Sequence, residues 1–305
     1  MLAGVIAGML WMGGCASPRP PADGREGTSL LGVPLRSPAP SAKQEAEIKA
    51  AREAYEAYEA TPTEATAIAL GKKLSSAGMY REAVEHYGAA LQKFPTSYRI
   101  LRHRGHRLIT LRRFEEATND LSRAWSLAKD QPDAPEGDPA TSRSTDKMAI
   151  LYHWGLAHYL RGNYATCVEV FRMRNGLEGF NDDNRVSSMH WEYLALRRTG
   201  REAEARKLVA GVREGMDVRE NQSYYILCKM YAGLITPAQA AAESERVGGG
   251  QSASVGVRYG LACWAWFAED DRSRAVAEFE AIVNDRPEAQ WANFGFIAAE
   301  AELAR

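Results

Sequence analysis

The stretch GMYREAVEHYGAALQKFP, residues 78–95, decides the fold. Its small and large apolar residues recur every three or four positions between a glycine and a proline, which predicts one amphipathic helix. A second stretch, RRFEEATNDLSRAWSLAKD at residues 112–130, repeats the pattern. Equivalent residues lie 34 positions apart: Tyr80 and Phe114, Ala83 and Ala117, Ala90 and Ala124, and Leu91 and Trp125. A fixed period of this length indicates that the chain repeats one helical unit.

A helix–turn–helix unit with this period resembles the tetratricopeptide repeat (TPR). Gly, Ala or Cys stands where the two helices of a unit must approach closely, as at Gly155 and Cys167. The resemblance implies an all-α fold, a TPR-type α-solenoid of antiparallel helix pairs in a right-handed superhelix. We expect this domain at residues 41–305, with repeats at about 64–97, 98–130, 148–181 and 186–216, a degenerate pair at 221–246, a repeat at 254–288 and a closing helix at 289–304.

One insertion interrupts the period. Gly105 and Gly155 are 50 residues apart instead of 34, so about 16 residues are added between them. The added segment, DQPDAPEGDPATSRST, is rich in Pro, Asp and Ser. That composition predicts a solvated loop.

The first forty residues have the composition of a targeting segment. An apolar run from Leu2 to Met12 is about half the length of a membrane span and ends in small residues, as a secretory signal does. The sequence MGGCAS resembles a bacterial lipobox, which implies a signal peptide at residues 1–15 and lipidation of Cys15. Residues 16–40 are rich in Pro, Gly and Ser and predict a disordered tether. The lipobox and the residues after Cys15 imply an outer-membrane lipoprotein facing the periplasm, with a periplasmic or secreted protein as the alternative.

The composition excludes some functions. The 305 residues carry 38 Lys and Arg against 39 Asp and Glu, a net charge of −1. A general nucleic-acid-binding protein usually has a basic excess, so we expect no nucleic-acid partner. Cys167, Cys228 and Cys263 lie in helical patterns without a CxxC motif or a Cys/His cluster. Buried free thiols are therefore predicted rather than a zinc site.

Catalytic motifs are missing from the sequence. It contains no GxSxG, no HExxH and no glycine-rich phosphate loop. His103 and His106 can share a helix face, but no third metal ligand has suitable spacing. NDDN at residues 181–184 lacks EF-hand spacing and is interpreted as a helix N-cap. We expect no enzyme activity, no catalytic residue, no cofactor and no metal.

The TPR resemblance also implies a concave groove that holds an extended peptide or a partner's helix. The positions that this family turns inward are Lys72, Arg99, Arg102, His106, Tyr152, Leu156, Tyr159, His190, Leu194 and Arg197. Residues 99–113 contain six arginines and no acidic residue. Guanidinium groups bind carboxylates through two parallel hydrogen bonds, so this strip would suit an acidic peptide. The alternative is that these arginines are solvated and pair with neighbouring Glu residues.

The layout as a whole resembles the NlpI family of bacterial outer-membrane TPR lipoproteins. Shared features are the lipidated N-terminus, the short tether, the TPR units, the atypical pair and the closing helix. The resemblance implies a membrane-anchored scaffold that brings envelope proteins together, such as peptidoglycan hydrolases and a protease, and that forms a homodimer. Two alternatives stay open. One is an assembly factor or chaperone for secretion, pilus or outer-membrane machinery, and the other is a regulatory subunit that binds a small ligand such as a peptidoglycan fragment.

Overall fold

The computed structural model describes residues 17–39, 41–137, 140–247, 250–285 and 290–305. These residues form a two-stranded antiparallel hairpin, β1 (Arg25–Thr28) and β2 (Pro34–Arg36), followed by helices and one 3₁₀ turn at Gln290–Ala292. The helices are α1 (Ala42–Ala60), α2 (Glu64–Ser76), α3 (Tyr80–Lys93), α4 (Tyr98–Thr110), α5 (Phe114–Ala128), α6 (Asp146–Leu160), α7 (Tyr164–Asn175), α8 (Asp182–Arg198), α9 (Glu202–Val209), α10 (Gln222–Tyr231), α11 (Pro237–Val247), α12 (Gly250–Ala268), α13 (Arg272–Asn284) and α14 (Phe294–Leu303).

Local sequence signals set the ends of these helices. Thr63 caps α2 and forms a capping box with Thr66, and Asn181 caps α8 by accepting a hydrogen bond from the Asn184 backbone N–H. Between α2 and α3 the backbone turns at Gly78, where φ is +73°. Arg112 occupies the equivalent position 34 residues later, with φ of +63°. A non-glycine residue is strained in this region, so the Arg112 side chain must contribute something that glycine cannot.

The first three pairs, α2/α3, α4/α5 and α6/α7, are each closed by a contact between a glycine and a large residue. Gly71 of α2 faces Tyr87 of α3, and the same 16-residue offset joins Gly105 to Leu121 and Gly155 to Phe171. A β-carbon on Gly105 would lie 2.7 Å from Leu121, so the two helices could not approach as they do. The predicted all-α stack of antiparallel helix pairs is confirmed, with repeating contacts of the TPR type.

The stack curves toward the first helices of its pairs, α2, α4, α6, α8, α10 and α12, which we call the A helices. Successive A helices pack against one another. The second helices α3, α5 and α7 each contact the A helices on either side, but among the described residues they contact one another much less. The A helices therefore form the inner layer. Large buried side chains of this layer include Tyr159, Trp191 and Tyr259.

The C-terminal segment closes the stack. Helix α14 packs on α12 and α13 and also reaches α6. Glu300 of α14 accepts a hydrogen bond of 2.8 Å from the Arg112 Nε, and both side chains are buried. Trp291 donates its indole N–H to the Arg36 backbone oxygen at 2.8 Å and packs edge-on against Tyr80. The last helix is thereby joined to the first two repeats and to the N-terminal hairpin.

The N-terminal segment is folded where the tether was predicted. Residues 25–36 form the β-hairpin, and the disorder predicted for residues 16–40 is wrong for this part. The composition misled because a few contacts suffice to order the segment. Leu35 is buried, and the buried Glu26 carboxylate accepts hydrogen bonds from Ser37 Oγ (2.7 Å) and the Arg81 backbone N–H (2.8 Å).

Cys15 and the rest of residues 1–16 lie outside the described residues, so lipidation of Cys15 stays a prediction. Among the helices that the structure describes, none combines the length and apolar character needed to cross a membrane.

The insertion between α5 and α6 folds back onto the A helices. Pro135 and Thr145 form an isolated antiparallel bridge at its base. Its Glu136 pairs with Arg102 of α4, and its Arg143 pairs with Asp183 of α8. The segment is thus not merely a solvated loop, because its charged side chains neutralise partners on the inner layer.

Candidate ligand-binding groove

Two adjoining cavities open on the A-helix layer. One has a volume of about 480 Å³ and lies between α8, α10, α12 and the start of α14. The other, of about 320 Å³, lies between the insertion, α6, α7, α8 and α10. Four residues line both cavities: Glu220, Asn221, Tyr224 and Phe294. We call the combined depression the inner groove.

Aromatic side chains form the floor of the inner groove. The hydroxyl oxygens of Tyr152 and Tyr224 are 2.7 Å apart, and the Trp191 indole N–H donates to the Tyr152 oxygen at 3.3 Å. The ring of Tyr224 stacks on His190 with centroids 4.9 Å apart. Burial raises the pKa of Tyr224 well above its usual value, so the hydroxyl network stays neutral. The floor is therefore a rigid apolar surface with its hydroxyl groups already paired.

Phe294 stands between the two cavities. It is the first residue of α14, and its ring lies 5.3 Å from the His106 ring and 6.3 Å from the Tyr152 ring, measured between centroids. The closing helix thus places a side chain of its own in the centre of the groove. A ligand that spans both cavities must pass over this ring.

Asp183 organises one wall of the groove. Its carboxylate is buried and accepts backbone hydrogen bonds of 2.9–3.0 Å from Arg219, Glu220 and Asn221. It also pairs with Arg143 of the insertion. A carboxylate with several N–H donors is a strong fixed acceptor, so it holds the residues before α10 at the groove.

Arg174 supplies a positive charge to the same wall. Its side chain is buried and donates to the backbone oxygens of Met148 (2.9 Å) and Asn184 (2.7 Å) and to the Asn184 side chain (2.7 Å). None of the described carboxylates lies within ion-pair distance of it. Burial lowers the pKa of Arg174 to about 10, so the guanidinium stays charged at neutral pH. The groove therefore contains one cation that is hydrogen-bonded but not neutralised.

The histidines beside the groove are neutral. The His106 and His153 ring centroids are 4.2 Å apart, and burial lowers the pKa of both imidazoles well below the usual value. His153 Nδ1 is 2.7 Å from the Ala149 backbone oxygen, which fixes the proton on that nitrogen. Across the residues that the structure describes, no three His, Cys, Asp or Glu side chains are grouped so as to hold a metal ion.

Most of the positions predicted to face the groove have other surroundings. Tyr152 lines the smaller cavity and His190 lines the larger one. Of the rest, Lys72 is exposed, and Leu156 and Leu194 are buried. Tyr159 is fully buried with its hydroxyl 2.7 Å from that of Tyr259, and the His106 ring contacts the Phe294 ring. Arg99 pairs with Asp146 and Glu64, Arg102 pairs with Glu136, and Arg197 donates to the Phe267 backbone oxygen. The three arginines among these positions, Arg99, Arg102 and Arg197, are therefore engaged in internal ion pairs or hydrogen bonds.

Sequence analysis missed the residues at the centre of the groove. Tyr224 lies in the degenerate helix pair, Phe294 in the closing helix and Arg143 in the insertion. All three lie outside the regular period, so the positions that a TPR turns inward do not include them. The buried Cys167, Cys228 and Cys263 do match the predicted packing role.

Comparison with known proteins concerns the fold. No protein-family model and no curated protein matches the chain. Among solved structures, a tetratricopeptide repeat protein from Parabacteroides merdae is similar at 16% identity, with a TM-score of 0.49 over 84% of this chain and 93% of that one. Yeast Tom70 is similar at 14% identity, with a TM-score of 0.41 over 85% of this chain and 59% of Tom70. Function is therefore inferred from the groove itself.

Proposed function

We propose that the protein is a non-enzymatic scaffold that binds an extended segment of a partner protein in the inner groove. The observation that carries the proposal is the continuity of the two cavities, about 480 and 320 Å³, across Tyr224 and Phe294. Together they form an elongated site rather than a single enclosed pocket. Its aromatic floor suits apolar side chains, because large rigid rings contribute contact area at a low cost in conformational entropy.

The rim of the groove suits the polar backbone of such a segment. Glu220 is exposed at the junction of the cavities, and Asn221 and Gln222 lie beside it. Arg174 adds an uncompensated positive charge on the wall of the smaller cavity. A peptide with an apolar side chain over Tyr224 and a carboxylate near Arg174 would complement both features.

Charge reversal at the rim tests this proposal. Glu220→Lys alters an exposed residue that lines both cavities, whereas Glu214→Lys reverses the charge of another exposed residue, six positions earlier, that lines neither. Partners captured by the wild-type protein would be identified and purified, and their affinities measured for all three forms. We expect Glu214→Lys to bind as the wild type does and Glu220→Lys to bind at least about tenfold more weakly, because a lysine cannot accept hydrogen bonds from the backbone N–H groups of the segment. Equal affinities of the two variants would show that the partner does not bind in the inner groove.

A small polar ligand is the second candidate, and the closing helix favours it. Each cavity alone has the volume of a small-molecule site, and Phe294 narrows the passage between them. Thermal-shift measurements with soluble peptidoglycan fragments would distinguish the candidates. A concentration-dependent rise in Tm that is lost in Tyr224→Ala would favour the small ligand over a protein segment.

We also propose that the scaffold acts at the bacterial envelope as an outer-membrane lipoprotein, where it coordinates peptidoglycan hydrolases or proteolysis and forms a homodimer. The support is the apolar run from Leu2 to Met12 followed by the lipobox-like Cys15. Labelling with a palmitate analogue should mark the wild type and not Cys15→Ser. Equal labelling of both would end the lipoprotein hypothesis. Sedimentation of the lipid-free protein would test dimerisation.

A further inference from the structure

A third cavity, far from the inner groove in sequence, lies between the N-terminal segment and the first helices. Its volume is about 430 Å³. Tyr55 and Tyr58 of α1, Leu70 and Leu74 of α2, and His86 of α3 form its apolar and aromatic walls. One side is covered by Ser17, Pro18, Arg19, Pro21 and Glu26, so the segment predicted to be a tether helps to build this cavity.

Negative charge dominates the lining. Four carboxylates face the cavity, from Glu26, Glu59, Glu82 and Glu85, against two guanidiniums, from Arg19 and Arg81. Glu26 is 3% exposed, and both of its hydrogen bonds come from neutral donors, the Ser37 hydroxyl and the Arg81 backbone N–H. A carboxylate can accept about four hydrogen bonds, so Glu26 keeps acceptor capacity.

The aromatic wall already interacts with one cation. The Lys93 ammonium lies 5.1 Å from the centre of the Tyr58 ring. The same ring packs edge-on against His86, whose Nε2 is 2.8 Å from the Ala67 backbone oxygen. Aromatic faces attract ammonium and guanidinium groups, and the attraction grows when the site is partly desolvated.

We propose that this cavity docks a lysine or arginine side chain presented by a partner protein. Charge complementarity and the tyrosine walls identify the occupant: the aliphatic stem packs on Tyr55, Tyr58 and the two leucines, and the cationic end reaches the carboxylates. A long side chain of this type buries its methylene groups and keeps its charge among polar groups. The site is separate from the inner groove, so the protein holds two docking surfaces.

Glu82 makes this docking depend on pH. Burial, with the neighbouring Glu85 carboxylate, raises the pKa of Glu82 to about 7. The charged groups that face it are Glu85 and Arg81 of α3 and Glu26 of β1, and the Arg19 backbone N–H donates a hydrogen bond to its carboxylate. The Arg19, Glu59 and His86 side chains also lie on the lining. Burial lowers the pKa of His86, so this imidazole is neutral above pH 6.5. A bound cation favours the ionised form of Glu82, and affinity should therefore rise by up to about tenfold from pH 6 to pH 8.

Calorimetric titration with a short peptide of three consecutive lysines tests the site. The control peptide is the same peptide with every lysine acetylated, which keeps the aliphatic stems and removes the charges. We expect binding of the lysine peptide only, with Glu82→Gln weakening it about tenfold at pH 8 and abolishing its pH dependence. Glu53→Gln is the matched control, because Glu53 is an exposed α1 carboxylate outside the lining.

Three outcomes would overturn the assignment. They are equal binding of the acetylated peptide, equal loss in Glu82→Gln and Glu53→Gln, and tighter binding of free spermidine, which would make the occupant a soluble amine. Tyr58→Leu, checked for folding by circular dichroism, should weaken binding without changing its pH dependence. Glu220→Lys should bind the lysine peptide normally, so failure at this cavity is distinguishable from failure at the inner groove.

Discussion

The buried pair of Arg112 and Glu300 should behave as a coupled unit. Glu300→Leu leaves the Arg112 guanidinium buried without its carboxylate, and Arg112→Met leaves Glu300 buried without its cation. The two side chains are 3% and 2% exposed, so solvent cannot replace the lost partner. Each single change should therefore lower the free energy of unfolding by about 3–5 kcal/mol.

The double variant distinguishes the energy of the ion pair from that of the packing around it. Arg112→Met with Glu300→Leu removes both charges and keeps apolar volume beside Trp291 and Phe296, whose rings lie 5.5 and 6.0 Å from the guanidinium carbon. Because methionine also has a β-carbon, the strain of the φ of +63° at residue 112 is unchanged. We expect the free energy of unfolding of the double variant to lie within about 1 kcal/mol of that of the wild type.

Urea unfolding followed by circular dichroism measures these energies, and hydrogen exchange of α14 shows whether the closing helix detaches first. If the double variant is destabilised by the sum of the two single changes, the pair is not coupled. The ion pair would then not be what holds α14.

Other changes test the packing, the groove wall and the buried histidines. Gly155→Ala should lower the free energy of unfolding by about 1–3 kcal/mol, because the new β-carbon would lie 2.7 Å from the Phe171 ring. Gly256→Ala, which has open space around its new β-carbon in α12, should raise the free energy of thermal unfolding by up to about 1 kcal/mol. Stabilisation by the first change and destabilisation by the second would refute the stated register. Asp183→Ala should cost at least about 3 kcal/mol and raise hydrogen exchange at residues 219–221, since it removes the buried acceptor of three backbone N–H groups and leaves Arg143 with Asp217 as its remaining carboxylate partner. Unchanged exchange there would contradict this role. Burial lowers the pKa of all six histidines, that of His190 to about 3. The histidines of the unfolded chain therefore bind protons at a higher pH than those of the folded chain, and stability should fall as the pH drops below 6.5. A Tm that is constant from pH 7 to pH 5 would contradict this expectation.

The helical stack was predictable because its determinants are local. A glycine and a large residue 16 positions apart, as in Gly105 and Leu121, occur within each of the first three units. No such regularity predicts the β-hairpin. It depends on the single buried carboxylate of Glu26 and on Leu35 within a segment rich in Pro and Gly.

The groove was less predictable because distant segments complete it. Arg102 has the spacing of an inward-facing residue, but Glu136 of the insertion neutralises it. Phe294 reaches the groove only because α14 packs back onto α6. Contacts between elements so far apart in sequence follow no period, so the pattern of one repeat cannot indicate them.

The contact between Arg112 and Glu300 joins residues 188 positions apart. An open stack of repeats unfolds from its ends, since each unit depends only on its immediate neighbours. In this chain the two ends stabilise each other through α14, Trp291 and the hairpin, so fraying at one terminus exposes surface at the other. Unfolding should therefore be closer to a single concerted transition than repeat architecture usually allows. Shortening the chain at its C-terminus should weaken residues near its beginning.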